Sequence, residues 1–303
     1  MARCEVRGLA QRSAAAGVIF GLGAAIGWGL ADLFAAFSGR RIGAAATVVL
    51  AQVASGLVIG VIVLVSGEDL AELGRVAGWL LPVAIVTAVA YLTLYRALEL
   101  GPIALVSPLL ASYAVFPVVL AVILLEESLG GVQLVGVAVT IGGAVLTSAD
   151  IRAIRAGTRE PVPALPWAVA STVLFGIAAY AVAWASQEAG WLPSLWLVRT
   201  STAALFLLGA AVALAIGRRS RAPALGVRAL LLCAALGVVD LTGTMAYSRG
   251  AEVGLVSIVS AVSATYPLIP VFGGIALLGE RPAPNQYVGV VLVIGGLMLL
   301  GTA

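Results

Sequence analysis

The residues best suited to chemistry form a polar stripe inside an otherwise apolar segment, 226–249. Asp240, Thr244 and Tyr247 are spaced at i, i+4 and i+7, so they share one face of a helix. A carboxylate is costly inside a membrane span, which makes Asp240 a candidate proton carrier or cation contact. The alternative is a structural aspartate bonded to a neighbouring hydroxyl. A shift of 153 residues places Thr87 and Tyr91 in a matching, uncharged stripe.

Two more charged side chains lie within apolar segments. Asp32 follows Trp28 by one helical turn and is a candidate substrate contact, while pairing with Arg40 or Arg41 at the membrane interface is the alternative. Arg199 is a candidate for binding a substrate carboxylate. Snorkelling of its guanidinium to the membrane surface is the favoured interpretation of that arginine.

Aromatic and hydroxyl side chains are candidates for lining a cavity that binds organic molecules or cations. The aromatic candidates are Tyr113, Tyr180, Trp184 and Tyr266. Near the ends of spans such residues also serve as interface anchors, which is the alternative. Ser107 and Ser260 either line the same path or allow close helix packing.

Four prolines remove backbone donors from two apolar segments and are candidates for hinges or kinks. These prolines are Pro108, Pro117, Pro267 and Pro270. A hinge used in a conformational change is the functional interpretation, and a static bend is the alternative.

Composition defines the elements that position these residues. The chain of 303 residues is 62% hydrophobic and 10% charged, and its mean hydropathy is +1.13. These values predict an all-α polytopic membrane protein. The predicted ten transmembrane helices are 13–37, 44–66, 76–98, 102–125, 130–148, 164–187, 193–217, 226–249, 253–278 and 284–302. Arginines in short loops indicate membrane orientation rather than nucleic-acid binding, and neither a cofactor nor a metal site is expected.

An internal repeat organises the chain. An ungapped shift of 153 residues pairs Glu127 with Glu280, Gln133 with Gln286 and Pro117 with Pro270. Near the starts of the halves the shift becomes 155, which pairs Phe20 with Phe175 and Asp32 with Gln187. The predicted organisation is a tail at 1–12, a first five-helix repeat at 13–148, a linker at 149–163 and a second repeat at 164–303. An odd number of spans per repeat predicts two inverted repeats, which is the architecture of secondary transporters.

Two copies of an apolar run ending in Leu-Leu-x-Glu, followed by Gln-x-x-Gly and a Gly-Gly helix, resemble the EamA-type members of the drug/metabolite transporter superfamily. The segment GWGLADLFAAFSGRR at 27–41 is also similar to the first span of that group. The chain departs from the family pattern in two respects. Glu126-Glu127 stands where the family usually has Gly-Glu, and in the second copy the proline-rich RPAP follows the Glu.

The resemblance implies a multi-pass protein of the bacterial plasma membrane that exports a small metabolite, amino acid or drug-like compound by alternating access. Protons are the candidate coupling ion, and the partners are the small-molecule substrate and the lipid bilayer. An intramembrane enzyme or a non-transporting scaffold is the alternative, although the chain contains no histidine and no catalytic motif. A homo-oligomer is left open. The family orientation, with a cytoplasmic N-terminus, leaves most loop arginines outside, against the positive-inside rule.

Overall fold

A computed structural model describes residues 2–100, 110–148, 151, 163–216, 226–269 and 283–302. Ten α-helices lie within these residues, and a 3₁₀ turn, Ser112–Ala114, leads into the fourth. The helices are α1 Ala2–Ile42, α2 Ala44–Ser66, α3 Leu73–Leu100, α4 Val115–Leu124, α5 Gly131–Ser148, α6 Leu165–Ala189, α7 Trp191–Ala215, α8 Val227–Val253, α9 Val256–Ser263 and α10 Pro284–Thr302.

Six of these helices, α1 to α3 and α6 to α8, are long and apolar enough to cross a membrane. Three shorter apolar helices, Ser112–Leu124, Gly131–Thr147 and Pro284–Leu300, accompany them in the described residues. Backbone hydrogen bonds are satisfied within each helix, which an apolar solvent requires. The chain is therefore an all-helical, multi-pass integral membrane protein, and the predicted total of ten spans stays a prediction.

Two helices differ most from those predicted. The helix α1 begins at Ala2, although the sequence predicts a tail at 1–12. Among the described residues of the predicted span 253–278, α9 covers Val256–Ser263, and residues 268 and 269 are again helical. A break at Gly254 and Leu255 precedes α9, and a turn that contains Pro267 follows it. Proline lacks the backbone donor that would continue the helix at this point.

Equivalent helices of the two copies lie antiparallel against each other. In the pair α5 and α10, Gly136 lies beside Leu300 whereas Gly143 lies beside Val293, so the residue numbers run in opposite directions. The pair α2 and α7 shows the same order, with Val48 packing near Phe206 and Val63 near Leu192. This is the mutual orientation that an inverted repeat requires.

The register of the first two helices in each repeat differs from the predicted one. Gly43 and Gly190 start α2 and α7 with nearly the same backbone angles, φ 82° and ψ 154° against φ 84° and ψ 145°. Positive φ is readily adopted only by glycine, so these two residues mark equivalent positions, 147 apart. The predicted shift of 155 is therefore wrong, because runs of small apolar residues align almost equally well at several shifts.

Contacts of α1 and α6 confirm the shift of 147. A Cβ added to Gly29 would meet Ile269, and one added to Gly176 would meet Phe116, the equivalent of Ile269 at the shift of 153. Trp28 on α1 contacts Thr244 on α8, and the equivalent Phe175 on α6 contacts Tyr91 on α3. The equivalent of Asp32 is thus Ala179 rather than Gln187.

The paired glutamines of the repeat cap two equivalent helices. The side-chain oxygen of Gln133 accepts a hydrogen bond of 2.9 Å from the backbone N–H of Gly130, directly before α5. Gln286 accepts one of 2.8 Å from Ala283, directly before α10. A glutamine that reaches back to the cap position satisfies one of the free N–H groups at a helix start. The Gln of the motif therefore has a structural role in both copies.

The paired glutamate of the first copy joins the two halves. The carboxylate of Glu127 accepts hydrogen bonds from the backbone N–H of Val256 at 2.6 Å and of Ser257 at 3.1 Å, and from the Ser257 hydroxyl at 2.6 Å. These donors lie at the start of α9, where a negative charge is favourable. The preceding Glu126 has φ 53°. The usual family glycine would adopt that conformation without strain.

Candidate functional site

A buried ion pair lies between α7 and α8. The Nη1 atom of Arg199 is 2.7 Å from the Oδ2 atom of Asp240, and the two side chains are only 6% and 17% exposed. Arg199 is nine residues into α7, so its Cα lies about 12 Å along the helix axis from the start. The favoured interpretation of Arg199 as a snorkelling side chain is therefore wrong: its guanidinium points inward, where Asp240 provides the counter-charge.

The first copy supplies two polar partners to this ion pair. Nη1 of Arg199 donates to Oε1 of Gln52 at 3.2 Å and to the Tyr91 hydroxyl at 3.4 Å. The Tyr91 hydroxyl in turn donates to Asp240 at 3.5 Å. Gln52 and Arg199 are equivalent residues, 147 apart. Since equivalent residues can touch only where the copies meet, this contact lies on the pseudo-two-fold axis.

A tryptophan on α1 completes the polar group. The indole N–H of Trp28 donates to the Thr244 hydroxyl oxygen at 3.2 Å, and that hydroxyl donates to the backbone carbonyl of Asp240 at 3.0 Å. The Nη2 atom of Arg199 also donates to Thr244. We call this group the axial cluster, which consists of Trp28, Gln52, Tyr91, Arg199, Asp240 and Thr244.

Next to Trp28 of the axial cluster, aromatic rings and hydroxyl pairs form a closely packed layer, in which the pair Tyr113–Ser263 joins the two copies. The Tyr113 hydroxyl is 2.8 Å from that of Ser263, and the Tyr247 hydroxyl is 2.9 Å from that of Ser260. Both rings pack against Trp28, with centroids 6.2 and 5.6 Å away. Tyr113 is 7% and Tyr247 1% exposed. We call this the closed side.

Asp32 and Tyr266 lie farther along α1 than the closed side. Val262 lies beside Gly21 whereas the backbone carbonyl of Tyr266 lies beside Gly29, and Asp32 is exposed one turn beyond Trp28. The lipid-facing stripe of α1 is formed by Ile19, Leu22, Ile26 and Leu30. Asp32 is two residues beyond that stripe and so faces roughly the other way, toward the interior. We call this the open side.

Equivalent positions differ in exposure between the two sides. Tyr113 is buried while its equivalent Tyr266 is half-buried, and Asp32 is exposed while its equivalent Ala179 is half-buried. The copies share a sequence pattern but not an environment.

Comparison with known proteins agrees with this architecture. The EamA-like transporter family matches the chain twice, over residues 15–149 and 162–302. The chain belongs to this family. No curated protein matches it. A solved structure, titled only as the crystal structure of a protein, has 18% sequence identity and a TM-score of 0.74, and the match covers 96% of this chain and 98% of that one. This likeness shows a shared fold.

Several predicted site residues of this transporter lie outside the axial cluster. The Thr87 hydroxyl donates to the carbonyl of Val83 in its own helix, at 2.8 Å. Trp184 packs into an apolar cluster between α3, α6 and α7. Tyr180 is half-buried on α6. The structure thus gives these three residues no contact with the Arg199 ion pair.

The proline and serine predictions fall partly outside the described residues. Ser107, Pro108 and Pro270 lie outside the described residues. Pro117 is buried in α4, and Pro267 is buried in the turn after α9. Their use as hinges stays a prediction.

Sequence reasoning missed Gln52, Ser263 and the contact of Glu127 with α9. Gln52 could have been found from Gly43 and Gly190, because each glycine is followed nine residues later by a polar residue in an apolar run. No sequence signal identifies Ser263, since its partner Tyr113 is 150 residues away.

Proposed function

We propose that this protein is a secondary active transporter that moves a small organic molecule by alternating access, with the axial cluster as the substrate site. The supporting observation is the contact between the equivalent residues Gln52 and Arg199, which places a buried polar group at the interface of two antiparallel copies. Substrate sites of inverted-repeat transporters lie at this interface.

The unequal exposure of equivalent residues supports alternating access. If the two copies exchanged their environments, the open side, with Asp32 and Tyr266, would close and the closed side, with Tyr113, would open. This exchange needs no new fold, because each copy would adopt the conformation now held by the other.

We propose export as the direction and protons as the coupling ion, with Asp32 and Asp240 as the candidate carriers. The two acids differ in their surroundings. Asp240 already has Arg199 as a counter-ion, so that binding a proton or cation there competes with an ion pair. Asp32 is exposed on the open side and has no ion-pair partner among the described residues.

The test is an export screen in cells that overproduce the protein, which compares intracellular pools of amino acids, nucleosides and cationic dyes. Arg199→Gln is expected to abolish export of the responsive compound. Arg75→Gln is the matched control, because Arg75 is 77% exposed and its ion-pair partner among the described residues is Glu72, directly before α3. Equal export by the Arg199→Gln variant and the parent would refute the axial cluster as the site.

Alternating access is tested with one cysteine at a time in a Cys4→Ser, Cys233→Ser background. Tyr266→Cys and Tyr113→Cys place a thiol at equivalent positions on the open and closed sides. A polar thiol reagent is expected to label position 266 faster than position 113. Addition of a transported substrate is expected to change these two labelling rates in opposite directions. Equal labelling of the two positions at all substrate concentrations would contradict alternating access.

A further inference from the structure

Among the described side chains, the charges around the axial cluster do not balance. Asp240 forms an ion pair with Arg199, and a second carboxylate, that of Asp32, lies one helical turn beyond Trp28 of the cluster. Asp32 makes no hydrogen bond or ion pair within the described part of the chain. We infer that the transported substrate is an organic monocation whose positive group binds Asp32. This inference rests on the proposed function and specifies its substrate class.

The geometry disfavours an anionic substrate. The guanidinium of Arg199 already donates to Gln52, Tyr91, Thr244 and Asp240. A carboxylate that bound Nη1 of Arg199 would compete with Asp240 and would leave that acid without its partner. Asp32 would in addition repel the incoming anion. A cation meets neither obstacle, because it approaches an exposed carboxylate that has no ion-pair partner among the described residues.

The pseudo-symmetry limits the charge of the substrate to one. The equivalent of Asp32 is Ala179, and the equivalent of Asp240 is Thr87. The second copy therefore offers no counterpart to the free carboxylate, and a dication would retain an uncompensated charge. Such a charge is costly where water is scarce.

The surroundings of Asp32 suit an organic body better than a bare ion. Trp28 lies one turn before Asp32 on the same face of α1, and the backbone carbonyl of Tyr266 lies beside Gly29, three residues before Asp32. Aromatic faces attract alkylammonium groups and also pack against apolar substituents. A small inorganic ion would need several oxygen ligands, whereas Asp32 is here the one carboxylate without a counter-ion.

Three probes of similar size and different charge test the inference. These are phenethylammonium, 3-phenylpropionate and the phenylalanine zwitterion, each titrated calorimetrically into the full-length protein in nanodiscs. Phenethylammonium is expected to bind, and Asp32→Asn to weaken it by about tenfold or more. Asp32→Glu is expected to retain most of the affinity because it keeps the charge. Glu68→Gln, in the exposed loop after α2, is the matched control and is expected to leave binding unchanged.

Tighter binding of 3-phenylpropionate or phenylalanine, or undiminished binding of phenethylammonium by Asp32→Asn, would overturn the inference and leave the transporter assignment intact. Absence of binding by all three probes would also overturn it, because the site as inferred accepts an arylalkyl ammonium ion. Failure of the proposed function is recognised separately, since the export screen uses cellular metabolites and the Arg199→Gln variant.

Discussion

Replacement of Arg199 by glutamine is the most direct perturbation of the axial cluster. The substitution leaves Asp240 without its counter-ion and places two glutamines, at positions 52 and 199, on the pseudo-two-fold axis. Breaking a buried ion pair by removing one partner lowers the free energy of unfolding by about 3–5 kcal/mol. The side chain of Asp240 is 17% exposed and retains its contact with Tyr91, which places the expected loss near the lower limit, about 3 kcal/mol.

A double-mutant cycle separates the ion pair from simple loss of packing. Asp240→Asn alone leaves the guanidinium with three neutral partners and is expected to cost about 2 kcal/mol. Arg199→Gln combined with Asp240→Asn removes both charges and leaves two amides able to bond to each other. The double variant is therefore expected to lose about 2 kcal/mol less than the sum of the single variants.

The protein contains its own reporter of unfolding. Cys233 is 0% exposed, so in a Cys4→Ser background a thiol-reactive fluorophore reacts with it only as the protein unfolds. Heating the protein in detergent micelles with this reagent gives an apparent Tm. A loss of 3 kcal/mol is expected to lower that Tm by about 6 °C or more.

Two results would refute the reasoning. Single variants that each change the Tm by less than about 1 °C would show that the ion pair contributes little to the fold. Strictly additive losses in the double variant would show that Arg199 and Asp240 act independently. Arg199→Lys is an internal check and is expected to fall between the parent and Arg199→Gln, because one ammonium cannot reproduce the forked guanidinium contacts.

Four further substitutions test the structural roles of the repeated motif by the same assay. Glu126→Gly is expected to raise the free energy of unfolding by about 1 kcal/mol, because it relieves a positive φ, and a loss of stability would contradict this. Glu127→Gln is expected to cost about 1–2 kcal/mol, since a neutral amide accepts more weakly from the start of α9 than a carboxylate. Gln133→Ala and Gln286→Ala are expected to cost about 1 kcal/mol each, and a large difference between them would argue against equivalent capping roles.

Helix positions in this chain could be predicted where glycine or proline residues mark the helix ends. The predicted spans 44–66 and 284–302 coincide with α2 and α10, because Gly43 and Gly67 bound the first and Pro284 starts the second. The inverted arrangement followed from the motif pairs and an odd number of spans per copy. These signals are local or repeated, so one sequence is sufficient to detect them.

The contacts of the site could not be predicted in the same way. Arg199 and Asp240 were recognised as candidates, but their pairing depends on the rotation of two helices whose surfaces are almost uniformly apolar. The register of α1 against α6 was misjudged for the same reason. A single backbone feature, the positive φ shared by Gly43 and Gly190, decides that register, and the angle is not visible in the sequence.

The two copies share a backbone but not their charged side chains, so the contacts between them are of two kinds. A contact between equivalent residues lies on the pseudo-two-fold axis and is the same whichever side is open. A contact between non-equivalent residues lies off the axis and has to be exchanged for its counterpart. Gly56 and Ala203 are equivalent and adjacent, since a Cβ added to Gly56 would lie 3.1 Å from that of Ala203. Glu127 and Ser257 are not equivalent, and their contact joins the copies at the start of α9.

Cross-linking distinguishes the two kinds of contact. Gly56→Cys with Ala203→Cys joins the copies on the axis, whereas Glu127→Cys with Ser257→Cys, bridged by a short bifunctional thiol reagent, joins them off the axis. We expect transport in proteoliposomes to survive the first cross-link and to be lost with the second, and reduction of the cross-link to restore it. Loss of transport with the axial cross-link alone would show that Gly56 and Ala203 do not lie on the axis of the conformational change. A contact that stays the same when the two copies exchange environments cannot block that exchange.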